Sequence, residues 1–114
     1  MHVPLTPETQ YLIDATFISE MKKPFYFVNT ARGKNVKTKD VVEALKSGKI
    51  KAAALDVLEY EKSSFEKLES ENSDLNYLLD SEKVIVTPHI AGWSVQSKIK
   101  LAQFIVDKIL KDFS

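Results

Sequence analysis

Three short apolar runs, at residues 25–28, 52–55 and 84–87, each lead into polar residues that do not belong in a core. Arg32 follows the first, Asp56 and Glu61 the second, and His89 the third. Runs of this length, bounded by turn signals, read as strands. The first, Phe25-Tyr26-Phe27-Val28, is continuous and predicts a strand buried on both faces. Strands alternating with helical segments specify a parallel α/β sheet. In such an open sheet the ligand crevice lies beyond the carboxyl ends of the strands. One cation, two carboxylates and one imidazole at three strand ends therefore make a candidate site.

The segments between the runs fit that architecture. Pro4-Leu5-Thr6-Pro7 is stiff and extended, with Thr6 as N-cap and Pro7 at the first helical position of a helix leading into residues 8–13. A second short helix is expected over 15–21, ended by Lys23-Pro24. From Thr38, Val41, Val42 and Leu45 recur at helical spacing until Ser47-Gly48, which predicts a helix with a glycine stop. Residues 50–57 form the expected second strand. Residues 59–83 are charged and less periodic, although Leu75, Leu78 and Leu79 mark a helical turn or two. Pro88 closes the third strand, because proline cannot donate a ladder hydrogen bond. Val95, Ile99, Ala102, Ile105, Val106, Ile109 and Leu110 then lie on one stripe with lysines opposite. Residues 94–113 thus predict an amphipathic helix that needs a partner surface.

Composition narrows the function classes. The 114 residues hold 16 Lys plus Arg and 16 Asp plus Glu, with no polybasic stripe, which argues against nucleic acid or an anionic membrane as partner. There is no cysteine, and two distant histidines do not make a structural zinc site. No apolar run approaches the roughly 20 residues of a membrane span, and no signal-peptide pattern is present. A soluble protein of the reducing cytoplasm is expected.

Each polar strand end has a plain alternative role. Arg32, in the turn Asn29-Thr30-Ala31-Arg32-Gly33, can grip a carboxylate through two parallel hydrogen bonds or merely cap a surface turn. Asp56 ends a strand of small side chains, and alone it would serve to accept bonds from nearby backbone amides. Glu61 can turn back towards the crevice or stay solvated. His89, after Pro88 and before a close-approach Gly92, is a proton shuttle by position or a structural histidine. Trp93 reads as a wall of a substrate pocket or as a packing residue, and packing is the expected role. Together, a cation for a carboxylate, a histidine for a carbinol oxygen and a glutamate to orient it are the parts for oxidising a 2-hydroxy acid. The missing part, a hydride acceptor, is one that no amino acid supplies and a nicotinamide cofactor would.

Asn29-Thr30-Ala31-Arg32-Gly33, Leu55-Asp56-Val57 with Glu61 beyond it, and Thr87-Pro88-His89-Ile90-Ala91-Gly92 resemble the signature segments of the D-isomer-specific 2-hydroxyacid dehydrogenases. The segment from His2 to Thr9 resembles the stretch that precedes them in that family. The resemblance implies a partial Rossmann-like fold, half of a doubly wound parallel sheet with a long C-terminal amphipathic helix. It implies that Arg32 binds the substrate carboxylate, that His89 is the general acid/base, and that Glu61 hydrogen-bonds His89. Asp56 would touch the nicotinamide carboxamide, and Pro4, Thr6, Thr30, Ala31 and Gly92 would line NAD. A phosphoglycerate dehydrogenase-like branch is suggested by the long 59–83 excursion and by Trp93. The family's G-x-G-x-x-G turn cannot be made from Gly33, Gly48 and Gly92, so residues 1–114 read as the second half of a dinucleotide-binding domain, without the glycine-rich half or a substrate domain. Alone, the chain is expected to be inactive and to form a homo-oligomer through an unpaired sheet edge or the bare helix stripe. A rival reading is a dehydrogenase-like module that acts in protein association.

Overall fold

The computed structural model describes residues 1–60 and 72–113. Strands β1 (Phe25–Asn29), β2 (Ile50–Leu55) and β3 (Val84–Val86) form a parallel sheet in the order β1-β2-β3. Asn29 pairs with Leu55 and Leu55 with Val86, so the three strands finish together at one edge. That common finish places whatever follows each strand on a single rim. The second and third strands are each shorter than the sequence suggested, because Asp56, Val57 and Thr87 already turn out of the sheet. Thr87 still donates its amide to Leu55 O at 3.0 Å.

Helices α1 (Ala15–Glu20), α2 (Thr38–Ser47) and α3 (Ser73–Asp80) complete the core. Val41, Val42 and Leu45 of α2 and Leu75 and Leu78 of α3 join Phe27, Ala53 and Leu55 of the sheet in one buried cluster. Local chemistry sets the helix ends. Asp14 accepts from Phe17 N to cap α1, and Asn72 accepts from Asp74 N and Leu75 N to cap α3. Gly48 closes α2 at φ 78°, a left-handed conformation that a glycine adopts without steric cost.

Two expectations are corrected here. The first strand is buried on one face and not on both: Phe27 and Asn29 point into the core, whereas Tyr26 is 71% and Val28 50% exposed. The register puts Tyr26 and Val28 on the same face as Ala52, Ala54 and the exposed Ile85. Among the described residues no helix covers that face. The second correction concerns residues 8–13, which form successive turns and not a helix. Thr9 N and Gln10 N both donate to Thr6 O, and Tyr11 then takes a left-handed φ of 53°. The amides of Tyr11 and Ile13 go to the carbonyls of Lys34 and Asn35, and Ile13 forms a parallel bridge with Val36. A helix this short gains little by itself, so tertiary pairing takes its donors. Thr6 is accordingly no N-cap; its amide donates to the Thr9 hydroxyl at 2.8 Å.

Helix α4 (Val95–Phe113) follows Ser94, whose hydroxyl accepts from Ser97 N at 3.0 Å. Its 19 residues include none that is buried. The amphipathic helix expected from the sequence therefore presents its apolar stripe bare, and at 1.5 Å per residue it is about 28 Å long. No helix among the described residues is long and apolar enough to cross a membrane.

Gly33 sits where two loops meet: a Cβ there would lie 1.9 Å from Leu58 O. Gly33→Ala should lower unfolding free energy by about 3 kcal/mol or more, since backbone must move. Gly48→Ala, with open space but a left-handed φ, should cost about 1 kcal/mol. Urea melts of the two variants check this ordering, and equal losses would contradict it.

Candidate functional site

The loop after β1 is set by Asn29, a buried amide at the strand's last position. Its Oδ1 accepts from Ala31 N at 3.0 Å and its Nδ2 donates to Arg32 O at 3.2 Å. This Asx-type closure fixes the backbone of residues 29–32 in a tight turn. The Arg32 side chain stays exposed, with Nη1 donating to Ala31 O at 2.7 Å. Four further donors of its planar fork remain for an incoming acid. Thr30 meets His2 Nδ1 through its hydroxyl at 3.1 Å.

Asp56 follows β2 and organises the loop after β3. Its Oδ1 accepts the Thr87 hydroxyl at 2.6 Å and Ile90 N at 2.8 Å, and its Oδ2 accepts Ala91 N at 2.9 Å. The backbone continues the same stitching across the rim. Asp56 N donates to Asn29 O at 3.0 Å, and His89 N donates to Asp56 O at 2.9 Å. Burial alone would raise the Asp56 pKa, but the Thr87 hydroxyl, the amides of Ala91 and Ile90 and the nearby His89 charge together hold it below the usual carboxylate range.

His89 is held at φ 56°, a left-handed conformation uncommon for a residue with a side chain. Strain of this kind persists where the surroundings over-determine it, and here the bonds from Asp56 to residues on both sides of His89 do so. Pro88, His89, Ile90 and Trp93 line an open hollow on the rim. Trp93 is 72% exposed, so the expected packing role is corrected: it forms a wall of the hollow that His89 faces. Among the described residues nothing lies within 4 Å of where a Cβ on Gly92 would stand.

Pro4 and Thr6 lie in the arc before α1, where Pro4 O accepts the Thr9 hydroxyl at 2.6 Å. Glu61 lies outside the described residues. Glu59, two positions earlier, caps α2 by accepting Thr38 N at 2.9 Å. It also takes the Tyr11 hydroxyl, and that bond, followed by the Glu59 charge and burial, raises the Tyr11 pKa. The sequence reading missed Asn29, Thr87 and Glu59 as the residues that hold the rim in shape. A polar residue closing an apolar strand was the available signal for Asn29 and Thr87; Glu59 had none, being one acid among many. Among the described residues no group of three or more His, Cys, Asp or Glu is placed to hold a metal.

Residues 1–91 match the family profile described as D-isomer specific 2-hydroxyacid dehydrogenase, NAD binding domain. The chain is 37% identical over 110 residues to a glyoxylate reductase of Thermofilum pendens, covering 96% of this chain and 30% of that protein. It is 43% identical over 111 residues to a D-3-phosphoglycerate dehydrogenase of Methanocaldococcus jannaschii, covering 97% and 19% respectively. The fold superposes with TM-score 0.72 and 32% identity on the NAD-complexed D-isomer specific 2-hydroxyacid dehydrogenase of Lactobacillus delbrueckii ssp. bulgaricus, covering 96% of this chain and 34% of that one. The chain thus spans about a fifth to a third of the length of these relatives.

The Asp56 clasp has a pH signature. A carboxylate whose pKa is lowered by folding stabilises the fold above its unfolded value, near 3.9, and that contribution is lost as pH falls through the lower folded value. Asp56→Asn should cost about 1–3 kcal/mol at neutral pH and should lose less than the parent between neutral pH and the acid side of that range. Melts from pH 7 downwards test this; parallel curves for parent and variant would contradict it.

Proposed function

Because the chain belongs to the NAD-binding domain family of the D-isomer specific 2-hydroxyacid dehydrogenases, we propose that its strand-end rim is the nicotinamide-side half of the active site of an oxidoreductase acting on D-2-hydroxy acids. The observation that carries this reading is the unbroken stitching Asn29–Asp56–His89, which puts the loops bearing Arg32 and His89 on one rim. Arg32 binds the substrate carboxylate with its free guanidinium donors and polarises the adjacent carbonyl. His89 takes the proton from the carbinol oxygen in oxidation and returns it in reduction. Glu61, which lies outside the described residues, is assigned the role of orienting the imidazole. NAD, when bound, supplies the hydride acceptor that no side chain provides.

The described residues fit the nicotinamide end of that cofactor. Gly92 leaves open space beside the His89 loop. A carboxylate has about four lone-pair positions, so Asp56, with three donors seated, keeps one for a carboxamide. In this proposal the backbone of Thr30 and Ala31, with Pro4 and Thr6, lines the cofactor. The pyrophosphate end is different: Gly33 is packed on Leu58 and Gly48 ends α2, so neither belongs to a phosphate-cradling turn. In this proposal the glycine-rich half and the substrate-binding domain come from residues outside these 114. A phosphoglycerate-like acid is one candidate substrate, in keeping with the 43% identity to the archaeal phosphoglycerate dehydrogenase.

The bare sheet face and the bare α4 stripe favour a second property, self-association of the isolated chain. By sedimentation the 114 residues alone should be dimeric, and they should not oxidise reduced nicotinamide with glyoxylate, pyruvate or hydroxypyruvate. Tight calorimetric binding of NAD to a monomer would contradict both parts. In the complete enzyme, Arg32→Ala should lower kcat/KM by about 10–100-fold. His89→Ala should lower it by about 10²–10⁴-fold, with cofactor binding retained in both. An inactive complete parent would instead favour the association-module reading.

A further inference from the structure

We propose that Asn35 is a positioning residue that holds the arc of residues 4–9 and the Arg32 turn in a single register, so that the cofactor-lining and carboxylate-binding loops move as one body. This rests on the function proposed above, in which Pro4 and Thr6 line the cofactor and Arg32 meets the substrate.

Asn35 ends the short 3₁₀ turn Gly33–Asn35 and is 0% exposed. Its Nδ2 donates to Thr9 O at 3.0 Å, to the Thr9 hydroxyl at 3.2 Å and to Pro4 O at 3.4 Å. The Thr9 hydroxyl in turn donates to Pro4 O and accepts from Thr6 N. On its other side, Asn35 N donates to Arg32 O at 3.2 Å, the carbonyl that also accepts Asn29 Nδ2. One side chain and one peptide thus join both loops. The arc depends on such a donor, because Pro4 and Pro7 have no N–H of their own.

The orientation of the amide is forced. Turning it over would set Oδ1 against the carbonyl oxygens of Thr9 and Pro4, so the nitrogen must face the arc. Oδ1 is then buried with no hydrogen-bond partner among the described residues. Pure packing would be served by a leucine, which has the same bulk and no polar atom to strand. A buried amide that keeps an orphaned oxygen is explained by what its N–H groups hold, and local rules are broken in this way where a site demands it.

In the 114-residue chain, the Asn35 side-chain NH₂ protons should exchange at least about 100-fold more slowly than those of the exposed Asn76, as expected for a protected interior bond. In Asn35→Leu, the amide resonances of Thr6, Thr9 and Arg32 should shift together while the methyls of Val42 and Leu45 stay in place. In the complete enzyme, Asn35→Leu should raise the KM for NADH and for the 2-oxo acid together, each by about tenfold, with kcat within about threefold of the parent. Exchange as fast as at Asn76, shifts confined to one of the two loops, or a rise in one KM alone would overturn the proposal. The exchange experiment uses the unsubstituted chain and decides the matter even where N35L does not fold. A complete enzyme without turnover would defeat the proposed function, while the resonance experiments still judge Asn35.

Discussion

Both oxygens of the Asp56 carboxylate are occupied by groups from the segment after β3, and the rim takes its shape from that fact. The Thr87 hydroxyl and the amides of Ile90 and Ala91 converge on one buried charge. Charge-assisted bonds are about twice as strong as neutral ones, and they are needed, because the loop they gather holds His89 in a left-handed backbone conformation. Asn29 does the equivalent for the loop after β1 with a neutral amide. Backbone bonds from Asp56 to Asn29 and from His89 to Asp56 join the two devices across three strands. Without this stitching, Arg32 and His89 would sit on independent loops.

The rest of the molecule is a three-stranded sheet with helices packed on one side. Among the described residues, α1, α2 and α3 share one core with one face of the sheet, and the other face exposes Tyr26, Val28 and Ile85. α4 lies beside this arrangement with no buried residue. Both surfaces belong to a chain that spans about a fifth to a third of the length of its relatives, and they are the basis of the self-association proposed above. The rim is complete in itself because its bonds are local to three adjacent strand ends. In the function proposed above, a second layer over the bare face comes from residues outside these 114.

How far the sequence discloses this differs from residue to residue. The strands, the helix of residues 38–47 with its Gly48 stop, and the last helix are legible because each rests on local pattern: branched runs, a 3.6-residue period and a glycine at a helix end. The placement of the loops carrying Arg32, Asp56 and His89 at one edge is legible in part for the same reason, since parallel strands all run towards that edge, while the register that aligns their ends comes from the structure. The turns at 8–13 are not legible, because the donors of Tyr11 and Ile13 are claimed by Lys34 and Asn35, which lie more than 20 positions away. The exposed face of β1 is hidden by its aromatic residues, since Tyr26 reads as a core residue although it is exposed in the fold. Glu59 is hidden by its neighbours, as no local feature separates a helix-capping carboxylate from the other acids of a charged segment.

The most direct test is a crystal structure of the complete enzyme with NAD and a 2-oxo acid. The account predicts the Arg32 guanidinium and the His89 imidazole within hydrogen-bond distance, about 3 Å, of the carboxylate and the carbonyl oxygen of the same small acid, with the Asp56 clasp intact. An acid held by other groups, with these two side chains turned to different faces, would contradict it.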